Sequence, residues 1–287
     1  MFIKGFNATI KNLVRSRTFW LCMILFVLLV GWRLSKPSFG YVDMETYEQI
    51  TDTDPRFVLT AHSYYKLMGN VPNMFTTYLF PLVMVFFTAI VINRDYGDRF
   101  FEIEKAGGMR PTVYLLSRIA ALTALGFALM LIASFAYVHG YVITRGGVVD
   151  MGIWEYIADS TVRTLRMCLF KGFPCTVFFI GVTYCVGAIF KNGIAAAIIP
   201  TIYTLAVYFV DLRTPANDGL LLETLSHYPT NVSHFFYFYK VPGEDQQFWC
   251  DFYNISWTDV FISIGFLTGI AVLGCVISYF RVRKRNI

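Results

Sequence analysis

Four histidines, His62, His139, His227 and His234, and six cysteines, Cys22, Cys168, Cys175, Cys185, Cys250 and Cys275, are the side chains of this sequence best suited to ligate a metal or attack as nucleophiles. Their spacing argues for neither. No cysteine belongs to a C-x-x-C pair or a Cys/His cluster, and most fall in apolar runs, where a thiol behaves as a small hydrophobe. His227 and His234 share one segment, but not at helical spacing and without a carboxylate or cysteine motif, so they read as loop histidines. The patterns H-E-x-x-H and G-x-S-x-G and a membrane-embedded acid pair are absent, so a hydrolase lacks its parts. The phosphate-binding loop G-x-x-x-x-G-K-[ST] is absent too, which leaves no usual means of binding ATP in this chain. Cys168 and Cys250 fall in segments that could share one side of a membrane, where a disulfide could join them.

The chemistry that remains is ionic, and it is concentrated between Asn93 and Arg118, in NRDYGDRFFEIEKAGGMRPTVYLLSR. A helix beginning near Asp95 puts Tyr96, Phe100 and Ile103 on one stripe at i, i+4 and i+7, with Asp98, Arg99, Glu102 and Lys105 around it. Gly107 and Gly108 stop that helix, and Pro111, in a first-turn position, restarts the chain. A stripe of this kind can lie in a partner's groove while carboxylates pair with basic groups at the rim. The plainer alternative is a solvated loop with surface ion pairs.

The elements that hold this segment are apolar. The 287 residues are 56% hydrophobic, 18% aromatic and 15% charged, against roughly a quarter charged in globular proteins, and the mean hydropathy is +0.54. The expectation is an all-α integral membrane protein, one domain over residues 1–287, with six spans at about 18–32, 74–92, 113–138, 172–190, 193–210 and 260–280. Pro81 and Pro200 lie within spans, which membrane helices tolerate. Residues 1–16 read as an interfacial helix, with Phe2, Phe6, Ile10, Leu13 and Val14 on one face and Lys4, Lys11 and Arg15 opposite. Trp20 and Trp32 anchor the first span at the interfaces. Trp154, Ile157, Thr161, Leu165 and Leu169 recur at helical spacing, so part of the stretch before the fourth span lies along the outer interface. Lys191 and Asn192 form a very short turn. No small-residue cleavage site follows the first apolar run, so it does not read as a signal peptide.

Charge sets the orientation. With the N-terminus inside, 14 basic and 4 acidic residues face the cytoplasm, against 10 basic and 15 acidic in the other segments, which satisfies the positive-inside rule with both termini cytoplasmic. No basic tract is long enough to engage nucleic acid. As drawn, no charged residue stands in the middle of a span; Arg118, near the inner end of the third, comes closest. Empty span centres argue against an ion-coupled secondary transporter, although a sodium site of backbone carbonyls near Pro81 or Pro200 stays open. Asn231-Val-Ser233 and Asn254-Ile-Ser256 are outer sequons, most simply chance matches.

The entry KNLVRSRTFW into the first span, the segment RDYGDRFFEIEKAGGMRPTVYLLSR and the six-span plan together resemble the permease subunit of type-2 ABC exporters, across the whole chain. The resemblance implies a multi-pass protein of a bacterial plasma membrane that is not itself an enzyme and holds no cofactor. It implies as partners an ATPase subunit dimer carrying ATP and Mg, a second permease copy or homologue, and membrane lipid. It also implies that residues 94–110 are the coupling segment, with Tyr96, Asp98, Phe100, Phe101, Glu102, Ile103 and Glu104 docking on the ATPase. A substrate among uncharged spans rich in Tyr78, Phe80, Phe86, Phe87, Phe178, Phe179, Tyr184, Tyr203 and Tyr208 would be apolar or amphipathic: a peptide, a drug or a lipid-like molecule. For any one of these aromatics, helix packing or lipid contact is the simpler role. A second reading is a permease-like sensor or immunity protein that binds an extracellular peptide through His227 to Tyr253 without pumping.

Overall fold

The computed structural model describes residues 1–35, 40–42, 49–51, 79–97, 103, 106–144, 152–169, 173–211, 265 and 269–280. These are helical apart from a small antiparallel ribbon, β1 (Gly40–Val42) with β2 (Gln49–Thr51), in which Tyr41 faces Ile50. The helices are α1 (Phe2–Val14), α2 (Arg17–Ser35), α3 (Leu79–Gly97), α4 (Pro111–Thr144), α5 (Ile153–Met167), α6 (Phe173–Phe190), α7 (Gly193–Asp211) and α8 (Gly269–Phe280). Helix α3 is central: it packs on α6 and α7 and touches α1, α2 and α4, while α1 lies against α4.

The connections follow local chemistry. Trp20 Nε1 donates to Val14 O at 2.7 Å, capping a carbonyl that the end of α1 would leave open. Gly108 adopts a φ of +82° after Gly107 N donates to Ile103 O, and Pro111 opens α4 as expected. Between α6 and α7 the turn is Lys191 and Asn192; Lys191 has a φ of +52°, and Asn192 Oδ1 accepts the Ile194 N–H at 2.8 Å.

Two boundaries differ from expectation. Helix α3 does not end at Ile92 with a new helix starting near Asp95; it runs on to Gly97. The polar residues Asn93 to Asp95 look like a stop in sequence, but Asp95 is buried beside Arg118, which removes the reason to leave the helix. Pro81 lies in α3, which is described from Leu79 onward. Helix α4 extends past Val138 to Thr144 because Tyr141 and Val142 are buried in the core.

Packing reverses the usual arrangement. The core joins Phe80, Phe87, Tyr137, Phe178, Phe179 and Tyr184, and Phe19 of α2 meets Phe87 at 4.8 Å between ring centroids. Beside these, the interior contains Thr88, Ser134, Thr176, Thr183, Thr204 and Ser278. Thr88, Thr183 and Thr204 each donate to the carbonyl four residues back, at 2.6–2.8 Å, so the hydroxyls are satisfied within their own helices. The exposed sides are apolar: Leu21, Ile24 and Leu28 on α2, Ile194, Ile198 and Ile202 on α7, Val272 and Leu273 on α8. Among the described residues one helix, Pro111–Ile143, is long and apolar enough to cross a membrane; Arg17–Leu28, Thr176–Phe190, Gly193–Leu205 and Gly269–Phe280 are apolar but shorter.

Helix α5 shows the same reversal at small scale. Ser160, Thr164 and Cys168 turn inward while Trp154 is 80% exposed, with Ile157, Leu165 and Leu169 exposed and Thr161 half-buried. Cys168 is a free thiol packed 3.8 Å from Ser134 Oγ, so it faces α4 and is not disulfide-bonded; Cys250 lies outside the described residues. Tyr156 holds α5 to α4 through a 2.8 Å hydrogen bond between its hydroxyl and His139 Nδ1, and burial pushes its phenol up to about 12. His139 is a residue of α4, stacked on Phe135. Tyr156→Phe is expected to lower stability by about 1 kcal/mol, the usual worth of one such bond, measured by thermal unfolding of the purified chain.

Candidate functional site

Three helices converge on Arg118. Gly5, Thr9 and Leu13 of α1 are buried against α4, and α1 comes this close because Gly5 lacks a Cβ: one built there would meet Ser117 Oγ at 2.5 Å. Ser117 in turn donates to Tyr114 O at 2.8 Å. This apposition brings the α1 backbone to the side chain of Arg118, the next residue of α4.

Arg118 is 1% exposed, the largest fully buried side chain described. Its Nη1 donates to Gly5 O at 3.3 Å and to Thr9 Oγ1, and Thr9 Oγ1 itself donates to Gly5 O at 2.8 Å. Its Nε stands 3.6 Å from Asp95 Oδ1 at the end of α3. The guanidinium carbon sits 4.7 Å from the centre of the Tyr114 ring, within cation–π range. The phenols of Tyr114 and, from α6, Tyr184 lie within electrostatic reach of Asp95. One cation thus ties α1, α3 and α4 together. A small cavity beside it is lined by Thr9, Asn12, Leu13, Ile90, Val91, Arg94, Asp95 and Arg118.

Such a cluster is a mechanical joint more than a reactive centre. Separating either ion from its partner inside an apolar bundle costs several kcal/mol, so the three helix ends move together. Among the described residues no group of three His, Cys, Asp or Glu side chains stands together to hold a metal.

Arg118 stands near the start of α4, the end at which the sequence placed it, but it is fully buried, and Asp95, near the end of α3, is its buried counter-ion and not part of a solvated loop. Neither was singled out in sequence as one half of a pair. The signal was present, since an Arg seven residues into an apolar helix needs an acid, and Asp95 is the first acid after the preceding apolar run.

The residues of the 94–110 segment divide. Tyr96 packs half-buried against the core, and Ile103 is 62% exposed. Asp98, Phe100, Phe101, Glu102 and Glu104 lie outside the described residues. On α1, Leu13 faces the bundle, Phe6 and Ile10 are half-buried, and Phe2 and Val14 are exposed. The stripe is therefore split: the side that packs on α4 is made by Gly5, Thr9 and Leu13, and Ile3, which is 71% exposed, joins Phe2 and Val14 on the free apolar flank. Among the aromatics read as a possible path lining, Phe80, Phe87, Phe178, Phe179 and Tyr184 are core, Phe86 is exposed and Tyr203 half-buried; the Tyr78 and Tyr208 side chains lie outside the described residues.

No protein-family model, no curated protein and no solved structure matches the chain.

Proposed function

We propose that this chain is the membrane-spanning subunit of an ATP-driven exporter of the type-2 ABC class, a six-span protein of the plasma membrane with both termini in the cytoplasm and its energy supplied by a separate ATPase dimer. The observation that carries the reading is the Arg118 joint. It clamps the helix entering the 94–110 segment to the helix leaving it, and both to α1. A pull on that segment is passed to the long helix α4 without loss in a flexible loop. Closure of the ATPase dimer on ATP would then rock the bundles and open the path alternately to each side.

The membrane part of the proposal is supported by the apolar exposed sides of α2, α7 and α8 around an interior that holds the hydroxyls and the ion pair. A second permease copy or homologue completes the path. The cargo is apolar or amphipathic, a reading supported by the aromatic core of the described helices and by the pairing of Arg118 with Asp95 inside the bundle.

Among the described residues of the segment, Ile103 is the large apolar side chain that stands exposed to a partner groove. Ile103→Asp is expected to lower export at least tenfold, about 1.4 kcal/mol of lost docking or more, with the variant still present in the membrane at normal level. Cargo efflux and ATP hydrolysis measured together in reconstituted vesicles check this; unchanged export by the variant would remove Ile103 from the docking surface.

A further inference from the structure

Arg94 is the charge that the joint does not use. It lines the same cavity as Thr9, Asn12, Asp95 and Arg118, half-buried, in the last turn of α3. Arg118 is engaged with Gly5, Thr9 and Asp95. Arg94 and the Asn12 amide, by contrast, have no hydrogen-bond or ion-pair partner among the described residues. With Asp95 and Arg118 offsetting each other, the cavity keeps one net positive charge and one amide donor.

We infer that the mouth of this small cavity, between α1 and α3 where Arg94 and Asn12 are half-exposed, binds the phosphate of an anionic glycerophospholipid from the cytoplasmic leaflet, with Arg94 and Asn12 as its ligands. The charge selects an anion. The surroundings select a lipid over a free phosphate ion, because Val14 at 40%, Trp20 at 53% and Leu21 at 66% exposure give acyl chains an apolar surface beside α1 and α2. A zwitterionic headgroup is served less well: among the described residues the one carboxylate lining the cavity, Asp95, is already paired with Arg118, so a cationic headgroup finds no free counter-charge there. The bound lipid would hold α1 to α3 from outside as Arg118 does from inside, making the joint responsive to the leaflet's composition. The inference rests on the membrane reading above.

The test uses the full chain purified in mild detergent, with native mass spectrometry reading bound phosphatidylglycerol, phosphatidylcholine and inorganic phosphate. Phosphatidylglycerol is expected to bind more tightly than phosphatidylcholine by about fivefold, the usual worth of one basic group at a lipid surface. Arg94→Gln removes that preference and Asn12→Ala reduces it, while Lys11→Gln, on the opposite face of α1, leaves it unchanged. Equal binding of the two lipids, an equal loss in the Lys11 variant, or displacement of phosphatidylglycerol by millimolar inorganic phosphate would each overturn the site. Fractionation separates this failure from that of the broader proposal. A chain recovered with the membranes but lacking headgroup preference loses only the lipid site, whereas a chain recovered in the soluble fraction loses both.

Discussion

Arg118→Met is expected to lower the unfolding free energy by about 3–5 kcal/mol, the cost of leaving a buried charge without its partner. Asp95 is 7% exposed, and the variant removes the cation from beside its carboxylate, while Thr9 Oγ1 loses the Arg118 donor and Gly5 O keeps only the Thr9 hydroxyl of its two side-chain donors. The double replacement Arg118→Met with Asp95→Leu should recover most of the loss, because apolar residues of similar volume often replace a buried pair at little cost. Denaturant or thermal unfolding of the three variants measures both effects. A single and a double variant equally unstable would mean that packing volume, and not the ion pair, holds the joint. Export separates stability from coupling: with the ATPase partner of the proposed function, a double variant that folds normally but no longer couples α1 to the segment should leave the partner's ATP hydrolysis running without cargo movement.

Gly181→Val carries the second large effect. A Cβ at Gly181 would meet Ala271 Cα at 2.5 Å and Ala271 O at 2.9 Å, so backbone stands where a side chain would go. Gly274, on the same contact, faces the Gly181 carbonyl, and Ser278 Oγ donates both to Gly274 O at 2.8 Å and to Tyr184 O at 3.1 Å. Helices α6 and α8 are therefore in backbone contact, a spacing that only small residues permit. Valine cannot be accommodated by turning a side chain aside, and the overpacking is expected to cost about 1–3 kcal/mol or more. The readout is local: Cys185 and Cys275, both part-buried at this contact, should react faster with a maleimide as α6 and α8 separate, while the buried Cys168 on α4 and α5 keeps its rate. Unchanged thiol reactivity together with unchanged stability would show that the two helices are not so close.

Most of the helical plan was legible because its signals are local. Gly107-Gly108 followed by Pro111, and Lys191-Asn192 between two apolar runs, mark boundaries through backbone preferences that need no tertiary partner. Residues 2–14 and 153–167 declared themselves by period, and both are helices. What the period did not reveal was which part of each stripe packs inward. On α1 the buried side is centred on Gly5 and Thr9, small residues that a hydrophobic pattern passes over but that allow close approach. The joint stayed hidden for a related reason. Asp95 and Arg118 are 23 positions apart, Thr9 is more than a hundred from Arg118, and each alone looks like a surface charge or an ordinary hydroxyl. Only the fold makes Asp95 the counter-ion of Arg118 and so carries α3 past the polar residues that looked like its end.

The most direct measurement is purification of the tagged chain from its native membrane, followed by an ATP-hydrolysis assay of whatever accompanies it. A subunit that hydrolyses ATP should co-purify with the wild-type chain, be stimulated by it, and dissociate or lose that stimulation in Ile103→Asp. Export activity in a chain purified free of any ATP-hydrolysing partner, or export that continues with that partner made hydrolysis-dead, would contradict the proposed function.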